Sequence, residues 1–176
     1  MKIIVTGGAG FLGFHISQKI NRITEFNNCT FFDIAEFEKD EYNKNINCIY
    51  GDVRDKAQMD EMMKGADVVI HCAAALPLWK KKDIFETNVD GTRNVMQSSL
   101  NNNVNRVIHI SSTAVYGVPD VHPLYEDHPR EGVGPYGTSK VMAEEVCEEY
   151  RKKGLPICIL RPKSFIGTAR LGVFQI

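Results

Sequence analysis

The sequence is short of the features that mark several large protein classes. No apolar run approaches the roughly 18–20 residues that cross a bilayer as a helix, so no membrane-spanning helix is expected. Met1-Lys2 leads at once into an apolar strand pattern, with no secretory segment ahead of it. A net charge of −1 over 176 residues leaves no electrostatic footprint for nucleic acid or an anionic membrane surface. The five cysteines (Cys29, Cys48, Cys72, Cys147 and Cys158) form no CxxC and no paired spacing with histidine. Four of them sit in or beside apolar stretches and read as small buried hydrophobes in a reducing compartment. A cytoplasmic location is therefore expected. His122 and His128 lack a clear third ligand, so no metal site is expected either. Internal repeats, low-complexity tracts and linkers are also missing.

What is present is an ordinary globular composition, 43% hydrophobic and 24% charged, on a chain long enough for one well-buried domain. Apolar β-branched runs alternate with helical patterns. Strands are predicted at 2–6, 29–33, 46–50, 67–72, 104–111 and 155–161, and helices at 11–24, 55–64, 83–101 and 136–153. Runs such as Val68-Val69-Ile70 are apolar throughout, which fits strands covered on both faces of a parallel sheet. The expected fold class is α/β, a doubly wound parallel sheet. Segment 112–135 holds four of the seven prolines and is expected to be a loop long enough to serve function. Helix 136–153 should stop at Gly154, behind Arg151-Lys152-Lys153. Only fourteen residues follow Arg161-Pro162, with no element to close that edge, so the chain reads as cut.

The most informative run is TGGAGFLG, Thr6 to Gly13, between a strand and a helix. Gly7 permits a tight bend, Gly10 lets backbone N–H groups approach a pyrophosphate, and Gly13 lets the helix pack hard on the sheet. The helix start at Phe11 and Leu12 turns its N–H donors and positive dipole end to the anion. The glycines fit GxGxxG through Gly8, Gly10 and Gly13, and GxxGxxG through Gly7, Gly10 and Gly13. Asp33 ends the second strand, twenty residues after Gly13, where its carboxylate can take ribose hydroxyls and would repel a 2′-phosphate. With no Arg or Lys in the next five positions, NAD is expected rather than NADP. Asp52-Val53 after the third strand either meets the adenine amino group or belongs to a helix N-cap before Lys56.

Tyr136-Gly137-Thr138-Ser139-Lys140 sets a phenol and an ammonium on one face near a helix start. A phenol ionises near pH 10 and is a poor base at neutrality, but adjacent positive charge favours the phenolate. Tyr136 could then take a hydroxyl proton while the same carbon is oxidised. Ser111-Ser112-Thr113 ends the fifth strand, on the side of a parallel sheet where ligands bind, so one of these hydroxyls could hold a substrate oxygen. Lys80-Lys81-Lys82 reads as a solvated loop or helix start. Trp79, beside Pro77, either covers a substrate or packs its own loop.

Taken in order, TGGAGFLG, Asp33, GDVRD at 51–55, HCAA at 71–74, NVDGT at 88–92, SSTAVYG at 111–117, YGTSK at 136–140 and LRP at 160–162 resemble the extended short-chain dehydrogenase/reductases. The closest resemblance is to their NAD-dependent epimerase/dehydratase branch, across nearly the whole chain. The resemblance implies an NAD(P)-binding Rossmann domain over 1–164 and the start of a truncated substrate-binding region at 165–176. It implies Ser112, Tyr136 and Lys140 as catalytic residues, with Lys140 also on the nicotinamide ribose. Ala73 and Ala74 would pass close to NAD, Asn88 would support the site, and Pro162 with Lys163, Ser164 and Phe165 would line the nicotinamide pocket. Family 4,6-dehydratases carry Asp-Glu where this chain has Thr113-Ala114, which argues against dehydration. The expected activity is epimerisation of a nucleotide sugar by transient oxidation. The alternatives are net dehydrogenation or reduction of a small alcohol or sterol-like substrate, and a dinucleotide-binding module without turnover. The resemblance also implies a homodimer formed through helices 83–101 and 136–153.

Overall fold

A computed structural model describes residues 1–20, 22–23 and 28–168. Six parallel strands form one sheet in the order β3–β2–β1–β4–β5–β6: β1 (Lys2–Thr6), β2 (Asn28–Asp33), β3 (Ile46–Tyr50), β4 (Val68–His71), β5 (Arg106–Ile110) and β6 (Ile157–Leu160). The order reverses between β1 and β4, and a crevice opens there beyond the strands' carboxyl ends. The predicted strands are all found; β1 and β3 match their expected bounds, β2 starts one residue earlier, and β4, β5 and β6 are trimmed at both ends. The doubly wound sheet is as expected.

The pleat sorts each strand's side chains between two cores. Ile4, Phe32, Val69 and Val107 pack with helices α2 (Lys56–Met62), α4 (Thr92–Asn101) and α5 (Gly134–Lys152) on one face. Ile3, Val5 and Phe31 pack on the other face with Ile20 of α1 (Phe11–Ile20) and with Tyr42. Strands covered on both faces need apolar side chains at successive positions, which is why their runs do not alternate.

Several boundaries differ from expectation. Helix α1 ends at Ile20, followed by a turn in which Arg22 N–H bonds Lys19 O; of the predicted remainder, 21 and 24 lie outside the described residues. The predicted helix 83–101 starts earlier and is not uniform. It comprises α3 (Lys81–Phe85), a π-helical turn over Glu86–Gly91, and α4. Helix α5 begins two residues early because Pro135 fits a first helical turn, where its missing N–H is no loss. It ends as predicted, with Gly154 at φ +97°. The 112–135 loop contains a 3₁₀ turn at Thr113–Tyr116. The cysteines are all free; Cys29 and Cys147 are buried, while Cys48, Cys72 and Cys158 are half-buried rather than fully enclosed.

Helix α5 is fixed by a carboxylate with no exposure at all. Glu144 accepts from Ser111 Oγ at 2.6 Å, from Arg161 Nε and Nη2 at 2.9 and 2.8 Å, and from Arg130 Nη1 at 2.9 Å. Arg161 also donates to Tyr116 OH at 2.6 Å and to the Glu126 carbonyl at 2.8 Å. Burial pushes the Glu144 carboxyl up, but the hydrogen bonds from Arg161, Ser111 and Arg130 outweigh it and hold it below the ordinary value. One side chain thus joins α5, the ends of β5 and β6, and the loop between β5 and α5.

Removing this charge leaves two arginines unpaired beside a buried amide. Glu144→Gln should lower unfolding free energy by about 3 kcal/mol, read as a reduced urea midpoint. Because the folded-state pKa is depressed, the stabilisation is present above the ordinary value of 4.5 and fades as pH falls through the lowered one. The difference between wild type and variant should therefore shrink on acidification; a pH-independent difference would contradict this account.

Candidate active site

The glycine turn is shaped by collisions its side chains would make. Gly7 sits at φ +70°, and a Cβ there would lie 2.6 Å from Ala73 N. A Cβ on Gly13 would lie 2.4 Å from the Gly7 carbonyl oxygen, so only glycine lets α1 start this close to the turn. Gly8 is also required, since its Cβ would meet Phe31 Cβ at 2.8 Å. Gly10 differs: its nearest neighbour is the Gly7 oxygen at 3.3 Å, and the residue is exposed on the crevice. Its missing side chain leaves room for a ligand rather than for the protein. Asp33 braces the turn, accepting from Ala9 N on Oδ2 and from Ala35 N on Oδ1, both at 2.9 Å.

The crevice has a volume of about 880 Å³, within the range for a cofactor-sized ligand. At one end its wall is formed by Gly7, Gly10, Phe11, Leu12 and Asp33, with Asp52 and Val53 beside them. Ala73 and Ala74 line its floor, and Ser112, Tyr136, Lys140 and Pro162 also face it. Lys163, Ser164 and Phe165 line it too, so the segment across the expected 164/165 boundary joins the same wall; 169–176 lie outside the described residues. Asp52 is not the N-cap of α2. That position belongs to Asp55, whose carboxylate accepts from Ala57 N and Gln58 N, while Asp52 accepts from Arg54 N at 2.9 Å and Arg54 Nε at 2.8 Å.

Two expected cofactor residues stand behind the wall. Gly13 packs against the turn's carbonyls. Asn88 is buried in the π-helical turn, and its amide is spent on the protein: Oδ1 accepts from Ala75 N at 2.8 Å, and Nδ2 donates to Ala75 O at 3.2 Å and Ser139 Oγ at 2.9 Å. The sequence predicted one uniform helix over 83–101 and gave no sign of the π-helical turn that brings Asn88 to Ala75 and Ser139. Trp79 lines the crevice with Leu76 and Thr87, which favours the ligand-facing alternative over a loop packed on itself. Lys80 precedes α3 and the three lysines are exposed.

At the other end the electrostatics depart from expectation. Burial raises the Tyr136 phenol, and a hydrogen bond with Ser112 pulls it back. Lys140 is 2% exposed and donates to the Ile110 carbonyl at 2.8 Å. Burial lowers its pKa to about 8, against the pull of Cys147, Glu144 and Cys72. The α5 geometry does bring phenol and ammonium to the crevice, which Ser112 also lines.

A parallel sheet in this strand order, with the glycine turn and Asp33 at its switch point, fits the two halves of a dinucleotide. The NAD dependent epimerase/dehydratase family matches residues 3–172. The chain belongs to this family. It is 33% identical over 173 residues to a putative UDP-glucose 4-epimerase of Methanocaldococcus jannaschii, covering 94% of this chain and 56% of the relative. It is 34% identical over 185 residues to 3 beta-hydroxysteroid dehydrogenase type 7 of Mus musculus, covering 93% and 50%. Among solved structures, a dTDP-glucose 4,6-dehydratase from Streptomyces venezuelae with NAD and DAU bound superposes with a TM-score of 0.84 at 28% identity, over 92% of this chain and 55% of that one. The chain spans about half the length of the curated relatives it matches. Relatives in this NAD-dependent family therefore include both nucleotide-sugar enzymes and a steroid dehydrogenase. No described helix is long and apolar enough to cross a membrane.

The crevice residues fit NAD, with glycine backbone for the pyrophosphate and, at the same end, the Asp33 carboxylate for the ribose. The glycines should separate cleanly. Gly13→Ala should cost about 1–3 kcal/mol of stability through overpacking. Gly10→Ala should melt close to wild type yet weaken NAD binding in calorimetry. Equal melting losses for the two would show that Gly10 serves packing instead.

Proposed function

We propose that this chain carries the cofactor half of an epimerase that oxidises a hydroxyl carbon of a nucleotide sugar and then reduces it from the opposite face. The observation that carries the reading is the meeting of Ser112, Tyr136 and Lys140 in the same crevice as the glycine turn and Asp33. When bound, oxidised NAD supplies a two-electron acceptor and a positive charge near the phenol.

In this reading Gly7, Gly10 and the first turn of α1 hold the pyrophosphate, and Asp33 takes the ribose hydroxyls through the lone pairs its backbone bonds leave free. Ser112 donates to the substrate oxygen and orients it. Tyr136 takes the hydroxyl proton, which its raised pKa makes hard in the protein alone. The cofactor's positive charge would lower the phenol and ease that transfer. Lys140, buried and donating to the Ile110 carbonyl, would hold the nicotinamide ribose, while Tyr136 keeps the proton and returns it to the oxygen when the carbon is reduced. Trp79 and Leu76 close the wall around the substrate. Thr113 and Ala114 offer no acid or base, which separates this site from a 4,6-dehydratase whose chemistry must move protons for water elimination.

The five free thiols fit a reducing, cytoplasmic setting. We also read helices 83–101 and 136–153, whose α4 and α5 segments pack on each other, as the contact of a homodimer; a monomeric mass in light scattering would refute that reading.

The functional test supplies the protein with NAD and UDP-glucose or UDP-galactose. NAD should bind in calorimetry, and sugar turnover should leave no net NADH. Tyr136→Phe should retain NAD binding while reducing turnover by about 10²–10⁴-fold. Steady NADH accumulation with a small alcohol or sterol would favour the dehydrogenase reading, in line with the mouse relative. Tight NAD binding without turnover of any nucleotide sugar would leave a binding module.

A further inference from the structure

His71 ends β4 one residue before the crevice wall and is 1% exposed. Its register partner in β1 is Thr6, the first residue of the glycine turn. Both ring nitrogens are engaged: Nδ1 lies 2.7 Å from Thr6 Oγ1, and Nε2 lies 2.9 Å from Thr92 Oγ1. The proton pattern follows from one hydroxyl. Thr92 has a single O–H, and it donates to the Asn88 carbonyl at 2.7 Å, an atom that can only accept. The Thr92 oxygen must therefore accept from His71 Nε2–H. Nδ1 is then bare and accepts from the Thr6 hydroxyl.

The chain of bonds continues at both ends into the crevice. On one side Ala73 N–H points to Thr6 Oγ1 at 3.4 Å, and Ala73 is the residue against which Gly7 packs. On the other side Asn88 donates from Nδ2 to Ser139 Oγ, whose own proton goes to the Tyr136 carbonyl at 2.7 Å. Every donor meets an acceptor, and reversing any link would set two protons or two lone pairs face to face. The neighbouring His109 ring, 5.2 Å away, makes no hydrogen bond among the described residues and takes no part. A satisfied core histidine needs only two local partners. This one links the first residue of the cofactor turn to the backbone of the residue that faces the substrate.

We propose that His71, held as the Nε2–H tautomer, is a positioning residue that sets the Tyr136 end of the crevice relative to the glycine turn. It touches neither ligand and acts through Thr6, Thr92 and Asn88. The inference rests on the NAD reading above for its effect on binding, but not for its geometry.

The test uses Thr92, which does not line the crevice. Thr92→Val removes the oxygen that receives the His71 proton, whereas Thr92→Ser keeps it. Thr92→Val should weaken NAD binding by roughly fivefold at a temperature where the variant is fully folded, and Thr92→Ser should restore it. Thr6→Val combined with Thr92→Val should cost less than the product of the two, because either break already severs the link. A folded Thr92→Val with unchanged NAD affinity and only a lower melting temperature overturns the proposal. Nitrogen-15 spectra need no cofactor and so separate this idea from the NAD reading. They should show His71 protonated at Nε2, and Thr6→Val should shift the backbone resonances of Tyr136–Lys140 while Thr6→Ser restores them. Protonation at Nδ1, or resonances indifferent to Thr6→Val, overturns the proposal even in a protein that fails to bind NAD.

Discussion

The geometry of the crevice depends on a single carboxylate that never meets solvent. Helix α5 carries Tyr136 and Lys140 on its first two turns, and Glu144 lies one turn further along the same helix. Ser111, which Glu144 holds, directly precedes Ser112. Arg161, which it also holds, directly precedes Pro162 on the crevice wall. The position of the proton acceptor relative to its hydroxyl partner is thus decided behind the site. A buried carboxylate is a costly anchor, because any one partner lost leaves charge without solvent. That cost is also what makes the anchor directional, since no slipped packing of α5 returns all of its hydrogen bonds.

The glycine turn and the π-helical turn handle the same problem in opposite ways. At the turn, backbone must come closer than side chains allow, and glycine supplies the space. In the π-helical turn the backbone is widened, which frees the Asn88 carbonyl for Thr92 and aims the Asn88 amide at Ala75 and Ser139. Between them lies the switch point of the sheet, at the carboxyl ends of the paired strands β1 and β4. Buried bonds from Thr6 through His71 and Thr92 to the Asn88 carbonyl link the two turns across it.

The parts of the site that sequence revealed are those built from neighbours along the chain. Strand, glycine turn and helix are contiguous over residues 2–20, and Asp33 sits at a spacing set by one βαβ unit, so both were legible. Tyr136 and Lys140 needed only a helical repeat. Glu144 was hidden for the opposite reason. It lies among Glu145, Glu148 and Glu149, which look like a solvated helix face, and its partners come from the β5–α5 loop and from β6. His71 was visible only as a letter in a motif, because a histidine between two threonines has no meaning until β1, β4 and α4 are packed. The Tyr136–Lys140 spacing brings two groups to one face without saying which atom each will bind, and the Lys140 ammonium donates to the Ile110 carbonyl.

Trp79 gives the molecule a property unrelated to catalysis. It is the chain's only tryptophan, it lines the crevice, and it is 43% exposed. An indole in that position changes surroundings whenever water in the crevice is replaced by a ligand, and no second indole dilutes the change. The protein therefore carries a built-in optical gauge of its own occupancy, readable by emission colour and intensity without any label or coupled assay.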